Sequence, residues 1–534
     1  FVDAELAPYK NQWAYLASVK TMKIDDVRSI LSNTPNDIAF ALDLVEGGGQ
    51  DSVPWKTESV VRQLQGIQPK EVNITLANML YFKKSELSPS LINRLTHLAA
   101  FRNPEFYKAQ AMRMSVWGKP RVIGCAENHG SFIALPRGCL DEVLELLTDN
   151  SIKPILHDER NVGHEINVSF HGQLRLDQKS AVEAMLQFDN GILCAPTAFG
   201  KTVTAAAIIA WRNVNTLILV HRTELLKQWQ ARLQTFLNVG KETVGHIGGG
   251  KSKPTGKIDI AVMQSLSRPD GVNPIIENYG QIIVDECHHL SAVSFEMLLK
   301  AAKAKYVLGL TATPVRRDGH QPIIFMQCGP IRHHAVKPAH VQHELIIESR
   351  MIDSCINLPI DASIQDVFQH VANNQSRNHL ILDAINEALN HNRKVLVLTE
   401  RTEHAEALYD ALQFNHAHHF LLHGRLSKKK RAEIMAQLEQ LSDDAPRVLV
   451  ATGKLVGEGF DHPALDTLIL AMPISWSGTL QQYAGRLHRE HTDKHNVTII
   501  DFVDSEHPAL MRMWQKRQRG YRAMGYTFKT SRLI

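Results

Sequence analysis

The sequence predicts an α/β protein: two doubly wound parallel-sheet units in tandem, preceded by an α+β N-terminal region. Three observations predict it. From about Gly172 onward, short apolar runs ("GILCAP", "NTLILVH", "DIAVMQS", "QIIVDE", "YVLGLTAT") alternate with helical stretches such as 223–237. A second series follows in the same rhythm: "KVLVLTE", "HHFLLHG", "RVLVATG", "TLILAMP", "VTIIDFVD". Continuous apolar runs of this length are the mark of strands buried on both faces, and strands alternating with helices build parallel sheets. Third, 534 residues, 44% hydrophobic and 21% charged, leave apolar material for several cores, and the length prior allows roughly three or four domains.

In chain order, residues 1–165 mix helical and short-strand signals and show no repeat or low-complexity tract. Residues 166–335 hold the first strand series, and 336–375 read as a linker or thumb-like insertion with a less regular pattern. Residues 376–510 hold the second series. The final segment, 511–534, carries seven Lys/Arg and no Asp or Glu. It reads as a basic helix followed by a short strand.

The net charge of +4 is too small to announce a nucleic-acid binder, so any basic surface must be local. Six cysteines are scattered at 125, 139, 194, 287, 328 and 355 without a C-x-x-C pair, which suits reduced thiols in a cytoplasmic protein. No apolar run approaches the roughly 18 residues of a membrane helix, so no membrane partner is expected. The chain opens at Phe1 with neither an initiator methionine nor a signal-peptide pattern, which suggests a trimmed or partial N-terminus.

Chemistry concentrates at "ILCAPTAFGKT", 192–202. A buried strand leads into it and a helix ("TVTAAAIIAW") leads out. Backbone N–H groups and a helix N-terminus therefore face any bound phosphate. Ala195 stands where the phosphate-loop pattern has its first glycine, a mild departure because that position need not adopt positive φ. Pro196, Thr197, Ala198, Phe199 and Gly200 form the cradle. Lys201 is expected on the β- and γ-phosphates of ATP, and the Thr202 hydroxyl on Mg²⁺. The strand "QIIVDE" ends in Asp285 and Glu286, one carboxylate for the magnesium shell and one for the attacking water. Cys287, His288 and His289 are consecutive and cannot converge as tetrahedral metal ligands.

Asp285-Glu286-Cys287-His288 resembles a DExH box, and "GLTATP" resembles the motif that couples hydrolysis to movement in helicases. "LVHRTELLKQW" resembles motif Ia and "IAVMQSL" the next nucleic-acid-facing motif. "VLTERTEHAEAL", "ATGKLVGEGFDHP" and "QQYAGRLHR" resemble motifs IV, V and VI. Together, from about Leu174 to Val503, they are the signature of superfamily 2 helicases and translocases. The resemblance implies two RecA-like domains, Mg-ATP hydrolysis and a nucleic-acid track. It places Arg486 and Arg489 of motif VI, three apart on a helix, on the charge that develops at the γ-phosphate. Gln482 and His288 become sensors linking the two halves, Thr311 and Thr313 coupling residues, and Gly457 and Asp461 neighbours of the ribose. "FHGQLRLDQKSAVEAML" resembles the adenine-reading segment, with Gln178 on the base edge and Arg175 supporting it. Leu176-Asp177 replace the family's frequent Pro-Tyr there.

The box is not D-E-A-D and motif III is not S-A-T, which turns the resemblance away from DEAD-box RNA chaperones. "TATPVRRDG" resembles the corresponding stretch of XPB-like repair helicases, where an Arg-Glu-Asp triplet occupies Arg316-Arg317-Asp318. Arg317 replaces the acidic residue. Residues 100–165 resemble the N-terminal region of bacterial XPB-like helicases of restriction-type or TOTE-type conflict systems, which implies a DNA-binding or damage-recognition-like part. Arg222, Gln264, Ser265, Arg401, Arg316 and Arg317 match positions that touch nucleic acid. Lys428–Lys430 open a helix where positive charge opposes the dipole, either as a phosphate contact or as a solvated face. Arg517 with Lys516, Arg519 and the interleaved Trp514, Tyr521 and Tyr526 form a second candidate contact surface.

The N-terminal region shows no nuclease pattern. Cys125, His129 and Cys139 lack a fourth zinc ligand at suitable spacing, and His416, His418, His419 and His423 run into a predicted buried strand. Three functions stay open: an ATP-dependent DNA helicase or translocase in repair or anti-foreign-DNA defence, the motor of a restriction system with a nuclease partner, and an ATP-switched clamp that remodels nucleoprotein without unwinding.

Overall fold

The computed structural model describes Leu64 and residues 66–533, apart from 197–198, 241, 269–270, 288–291, 313–317, 336–343, 353–361, 413–417, 443, 454–461, 475–476, 489–493 and 495. The chain divides into two compact units, Phe1–Arg160 with Asp318–Gln327, and Asn161–Arg317 with Cys328–Ile534.

The first unit is a mixed sheet under two helices. Its strands are β1 (Glu71–Leu76), β2 (Met79–Lys83), β5 (Glu127–His129), β6 (Phe132–Pro136) and β7 (Lys153–Asp158), in the order β5-β6-β2-β1-β7. Strand β1 alternates, burying Val72, Ile74 and Leu76, so one sheet face makes the core. Helices α1 (Pro89–Leu98) and α3 (Leu140–Asp149) cover that face with Leu91, Leu95, Val143 and Leu147, pairs spaced four apart. The Ser88 hydroxyl caps α1 by accepting from the Leu91 N–H. A short ladder of β3 (Ala100–Arg102) and β4 (Val122–Gly124) flanks helix α2 (Pro104–Ala111).

The second unit contains two parallel α/β sheets. The first sheet orders β8 (Asn190–Cys194), β9 (Thr216–Val220), β10 (Val244–Gly248), β11 (Lys251–Lys253), β12 (Ile258–Val262), β15 (Gln281–Val284), β16 (Tyr306–Thr311) and β17 (Ile331–His334) as β11-β10-β12-β9-β15-β16-β8-β17. Only β11 runs antiparallel to its neighbour. A separate ladder pairs β13 (Ser267–Arg268) with β14 (Gly271–Val272). The first sheet's helices are α4 (Leu176–Leu186), α5 (Lys201–Arg212), α6 (Thr223–Leu237) and α7 (Ala292–Ala301); the next helix, α8 (Gln321–Cys328), is formed almost wholly by residues of the first unit. In α5 the run Thr204–Ile209 is wholly buried. Its three alanines let neighbouring helices approach closely on both sides.

The second sheet orders β18 (Glu344–Ile352), β19 (Lys394–Thr399), β20 (His418–Leu422), β21 (Arg447–Thr452), β22 (Thr467–Leu470), β23 (Asn496–Asp504) and β24 (Thr527–Leu533) as β20-β21-β19-β22-β23-β18-β24, all parallel. Its helices are α9 (Ile364–Asn373), α10 (Gln375–Asn390), α11 (Thr402–Ala411), α12 (Lys428–Gln440), α13 (Ser477–Leu487) and α14 (Pro508–Ala523). The apolar runs read as buried strands are the strands of these two sheets. No helix among the described residues is long and apolar enough to cross a membrane.

The C-terminal helix departs from the sequence expectation of a nucleic-acid contact surface. Trp514, Tyr521 and Tyr526 are buried in the core of the second sheet. Arg517, buried with them, donates from Nε (2.7 Å) and Nη2 (3.1 Å) to Asp501, and from Nη1 to the Ile474 carbonyl (3.0 Å). The Tyr521 hydroxyl donates to the same carboxylate at 2.7 Å. Burial opposes the guanidinium charge, but Asp501 outweighs it and holds the Arg517 pKa above its usual value. Of this helix's cations, Arg512, Lys516, Arg519 and Arg522 face outward. Removing one partner of a buried pair strands the other, so Arg517→Ala is expected to destabilise the fold by about 3–5 kcal/mol. Lys516→Ala, on the solvated face, is expected within about 0.5 kcal/mol of the parent. Chemical denaturation of the two variants checks the contrast; equal losses would put Arg517 outside the core.

Candidate active site

The phosphate loop leaves the carboxyl end of β8 and enters α5, the place where parallel α/β sheets bind ligands. Gly200 begins the helix at φ +91°, a left-handed conformation that favours glycine. A Cβ there would also run into the Gln178 amide. That amide is part of a clamp on the loop. Gln178, almost wholly buried, donates from Nε2 to the Phe199 carbonyl at 2.7 Å and accepts at Oε1 from the Arg175 N–H at 3.1 Å. Arg175 reaches the same carbonyl from Nη2 at 2.8 Å, and its guanidinium carbon lies 5.8 Å from the centre of the Phe199 ring. Asp177 holds Arg175 from the other side at 3.2 Å. The residues expected to read adenine thus grip the loop backbone, and the amide inventory of Gln178 retains one N–H and one oxygen lone pair beyond these bonds.

Lys201 and Glu286 meet. The Lys201 ammonium lies 3.2 Å from Glu286 Oε1 and donates to the Ala195 carbonyl at 3.3 Å. Glu286 follows β15 with φ +45°, a left-handed turn costing about 1–2 kcal/mol for a residue with a Cβ. Asp285, just before it, is buried, and its Oδ2 accepts from the Trp229 indole N–H at 2.7 Å. Burial, then the neighbouring Glu286, push the Asp285 carboxyl above the usual carboxylate range, with Trp229, Lys201 and His221 pulling it back. Thr202 is the second residue of α5. Thr311 closes β16 opposite Cys194, and its carbonyl accepts from the Ala195 N–H at 2.9 Å. Burial raises the Cys194 and Cys287 thiols, which keeps both protonated and poor as metal ligands.

Trp229 carried no role in the sequence reading. Its signal was its place on the buried stripe of α6, with Leu226, Leu233 and Leu237; an indole N–H buried on such a stripe needs an acceptor. A second region of the same sheet holds three of the six expected nucleic-acid residues. Arg222 directly precedes α6, Gln264 and Ser265 are exposed in a 3₁₀ turn after β12, and the Gly248–Gly250 turn between β10 and β11 lies against Thr223 and Ser265. That glycine turn also went unnoticed in the sequence.

On the second sheet, Arg401 directly precedes α11 and donates from Nη2 to the Gln365 carbonyl at 3.0 Å. Arg486 is half-buried in α13, which also carries Gln482. The side chain of Gln482, and Thr197, Ala198, His288, Thr313, Arg316, Arg317, Gly457, Asp461 and Arg489, lie outside the described residues. In the first unit, Cys125 and Cys139 are buried thiols, whereas His129 pairs with Glu127 at 3.0 Å.

Comparison with known proteins agrees with this geometry. The family described as "Type III restriction enzyme, res subunit" matches residues 171–316, and the "Helicase conserved C-terminal domain" matches 377–491. "Probable helicase D10" of Escherichia phage T5 is 26% identical over 59% of this chain and 68% of its own length. "DNA 3'-5' translocase XPB2" of Sulfurisphaera tokodaii is 34% identical over 30% of this chain and 35% of its own. The crystal structure of T4 UvsW, 17% identical, aligns with 87% of this chain and all of its own at a TM-score of 0.39. Two matched domains in series, each covering most strands of one parallel sheet and the first carrying the Lys201–Glu286 junction, make this chain an ATP-dependent helicase of superfamily 2.

Proposed function

We propose that this helicase acts on DNA, coupling ATP hydrolysis to movement along the duplex or to strand separation, in repair or in defence against foreign DNA. The observation that carries the reading is the Lys201–Glu286 ion pair beside the buried Asp285. It gathers a phosphate cation, a water-orienting base and a metal-binding carboxylate at the strand ends. The choice of DNA is supported by the relative named a DNA translocase and by the XPB-like sequence after motif III.

In the proposed cycle Lys201 exchanges Glu286 for the β- and γ-phosphate oxygens of ATP, while N–H groups at the start of α5 face the same phosphates. Glu286 then orients a water molecule and takes its proton as the oxygen attacks the γ-phosphorus. The bond to the ADP oxygen breaks, leaving ADP and phosphate. Asp285 and the Thr202 hydroxyl are hard oxygen donors, the set that suits Mg²⁺; when bound, the ion neutralises phosphate charge. Trp229 fixes the carboxylate of Asp285 for that purpose. Arg486 and Arg489 stabilise charge on the transferred γ-phosphoryl group, with Gln482 and His288 sensing the nucleotide and Gly457 and Asp461 beside the ribose. Thr311 and Thr313 relay the nucleotide state to Arg222, Gln264, Ser265, Arg316, Arg317 and Arg401 on the nucleic-acid backbone. The match of the first domain to a restriction-enzyme subunit favours one second reading, the motor of a restriction system whose cleaving part is a partner.

Lys201→Ala should weaken ATP binding and turnover together. Glu286→Gln should leave ATP affinity within about threefold and lower kcat by about 10²–10³. Duplex or single-stranded DNA should stimulate the parent. Steady-state ATPase rates with DNA, RNA or neither, together with titrations of a fluorescent ATP analogue, check all three. Normal turnover in Glu286→Gln would remove its assigned role, and stimulation by RNA alone would move the substrate to RNA. Forked DNA scored for both unwinding and cleavage separates the restriction reading.

Asp285 also gives a pH prediction. Its pKa is higher in the folded than in the unfolded chain, so the folded state holds the extra proton and stability falls as pH rises between the two values. Above both, the buried carboxylate is a net cost. Asp285→Asn should therefore stabilise the fold by on the order of 2 kcal/mol at pH 8. The gain should fade as pH drops towards about 4, and hydrolysis should be lost. Thermal melts from pH 4 to 8 check the sign; a variant less stable than the parent at pH 8 contradicts it.

A further inference from the structure

The first unit carries a loop that none of the preceding chemistry uses. Between α2 and β4 the chain runs "MRMSVWGKPR", 112–121. Trp117 at its tip is 92% exposed, with Met112 at 58% and Met114 at 61% on the same loop. A large aromatic left in water forgoes the burial that makes it favourable in a core. Its surroundings are basic: residues 101–126 hold Arg102, Lys108, Arg113, Lys119 and Arg121 against the single acid Glu105.

The loop is held rigidly at its base. Buried Asn103 donates from Nδ2 to the Pro120 carbonyl at 2.8 Å, and its N–H donates to the Arg121 carbonyl at 2.8 Å. The Arg121 guanidinium carbon lies 5.4 Å from the centre of the Phe106 ring. At the tip, the Lys119 N–H bonds the Val116 carbonyl at 3.0 Å and closes a turn around Trp117. The backbone that carries the aromatic is therefore closed by hydrogen bonds before any partner arrives, which lowers the ordering cost of contact.

We propose that this loop is a stacking post for single-stranded DNA, with an unstacked base on the Trp117 ring and the neighbouring phosphates on Arg113 and Lys119. The pairing of one accessible aromatic face with flanking cations is the chemistry by which proteins hold single strands without reading sequence. The charge decides the occupant. Five cations against one acid match a polyanion better than an apolar groove on a protein, and a base supplies the flat face that Trp117 lacks. The inference rests on the DNA reading above and extends it to a contact outside the two parallel sheets.

The test uses the whole 534-residue chain and a fluorescently labelled oligothymidylate. Trp117→Ala should lower affinity about tenfold, the loss expected for one stacked base, while Trp117→Phe retains most of it. The Trp117→Ala salt slope should match the parent's, whereas Arg113→Gln and Lys119→Gln should each flatten it by about 0.7. ATPase activity without nucleic acid should be unchanged in every variant, since Trp117 is solvated. Parent-like affinity in Trp117→Ala, or unchanged slopes in both cation variants, overturns the proposal. So does sedimentation with phosphatidylserine vesicles that depends on Trp117 while oligonucleotide affinity does not, which would make the loop a membrane contact. If the parent binds no nucleic acid and none stimulates it, the DNA reading fails as well. Parent binding that Trp117→Ala leaves intact sinks this assignment alone.

Discussion

The ion pair between Lys201 and Glu286 joins two segments that enter the site from different strands. Its position follows from sheet topology. Strands β8 and β15 are separated only by β16, and all three run parallel, so their carboxyl ends open on one side. Lys201 opens the helix after β8, and Glu286 is the second residue past β15. A shift of either strand by one residue would turn its side chains to the other face and break the pair. The Ala195 N–H bonded to the Thr311 carbonyl locks the β8–β16 register at this end. The catalytic geometry is therefore a property of the parallel ladder.

The site is also where the fold carries its costs. A non-glycine residue at φ +45° and a buried carboxylate beside a second acid are each unfavourable alone. They persist because the structure around them is over-determined. Trp229 anchors Asp285 from α6, Lys201 anchors Glu286 from α5, and Gln178 with Arg175 anchors the loop from α4. Three helices on one sheet thus each contribute one fixed contact. Such concentrated strain is what a functional site shows against an otherwise consistent core.

Much of this was legible in the sequence, and the misses have physical causes. The strands were readable because burial on both faces demands uninterrupted apolar runs, and the phosphate loop because strand and helix flank it. The bond from Gln178 to the loop was not, since an amide suited to a base edge also suits a backbone carbonyl. Trp229 was hidden by its own apolarity, which makes an indole look like core filling. Arg517 was misread for a different reason. Leu510, Met513, Trp514, Arg517 and Tyr521 recur at three- and four-residue steps, so the arginine lies on the buried stripe. Composition suggested a basic surface; periodicity already placed this one residue inside. The exposed face of that helix is spelled by Arg512, Lys516, Arg519 and Arg522 instead.

The second sheet shows how motifs far apart in sequence are held together. The Tyr483 hydroxyl in α13 donates to Glu400 Oε1 at 3.2 Å, and Gly453 lies so close that a Cβ would overlap both groups. Segments from three of the resembling motifs therefore interlock without room for a side chain between them. Arg486 is one turn beyond Tyr483, and Arg401 directly follows Glu400. Behind them, His404 bridges the Thr399 hydroxyl at 2.9 Å and Asn378 Oδ1 at 3.0 Å. Burial, with Arg377 and Arg401 nearby, pushes its pKa down to about 4, so the bridge is a neutral imidazole and holds across physiological pH. In the proposed cycle this contact ties the segment that carries Arg401 to the one that carries Arg486. The proposed coupling between track and nucleotide would then pass through one tyrosine–glutamate contact, beside which both arginines stand in sequence.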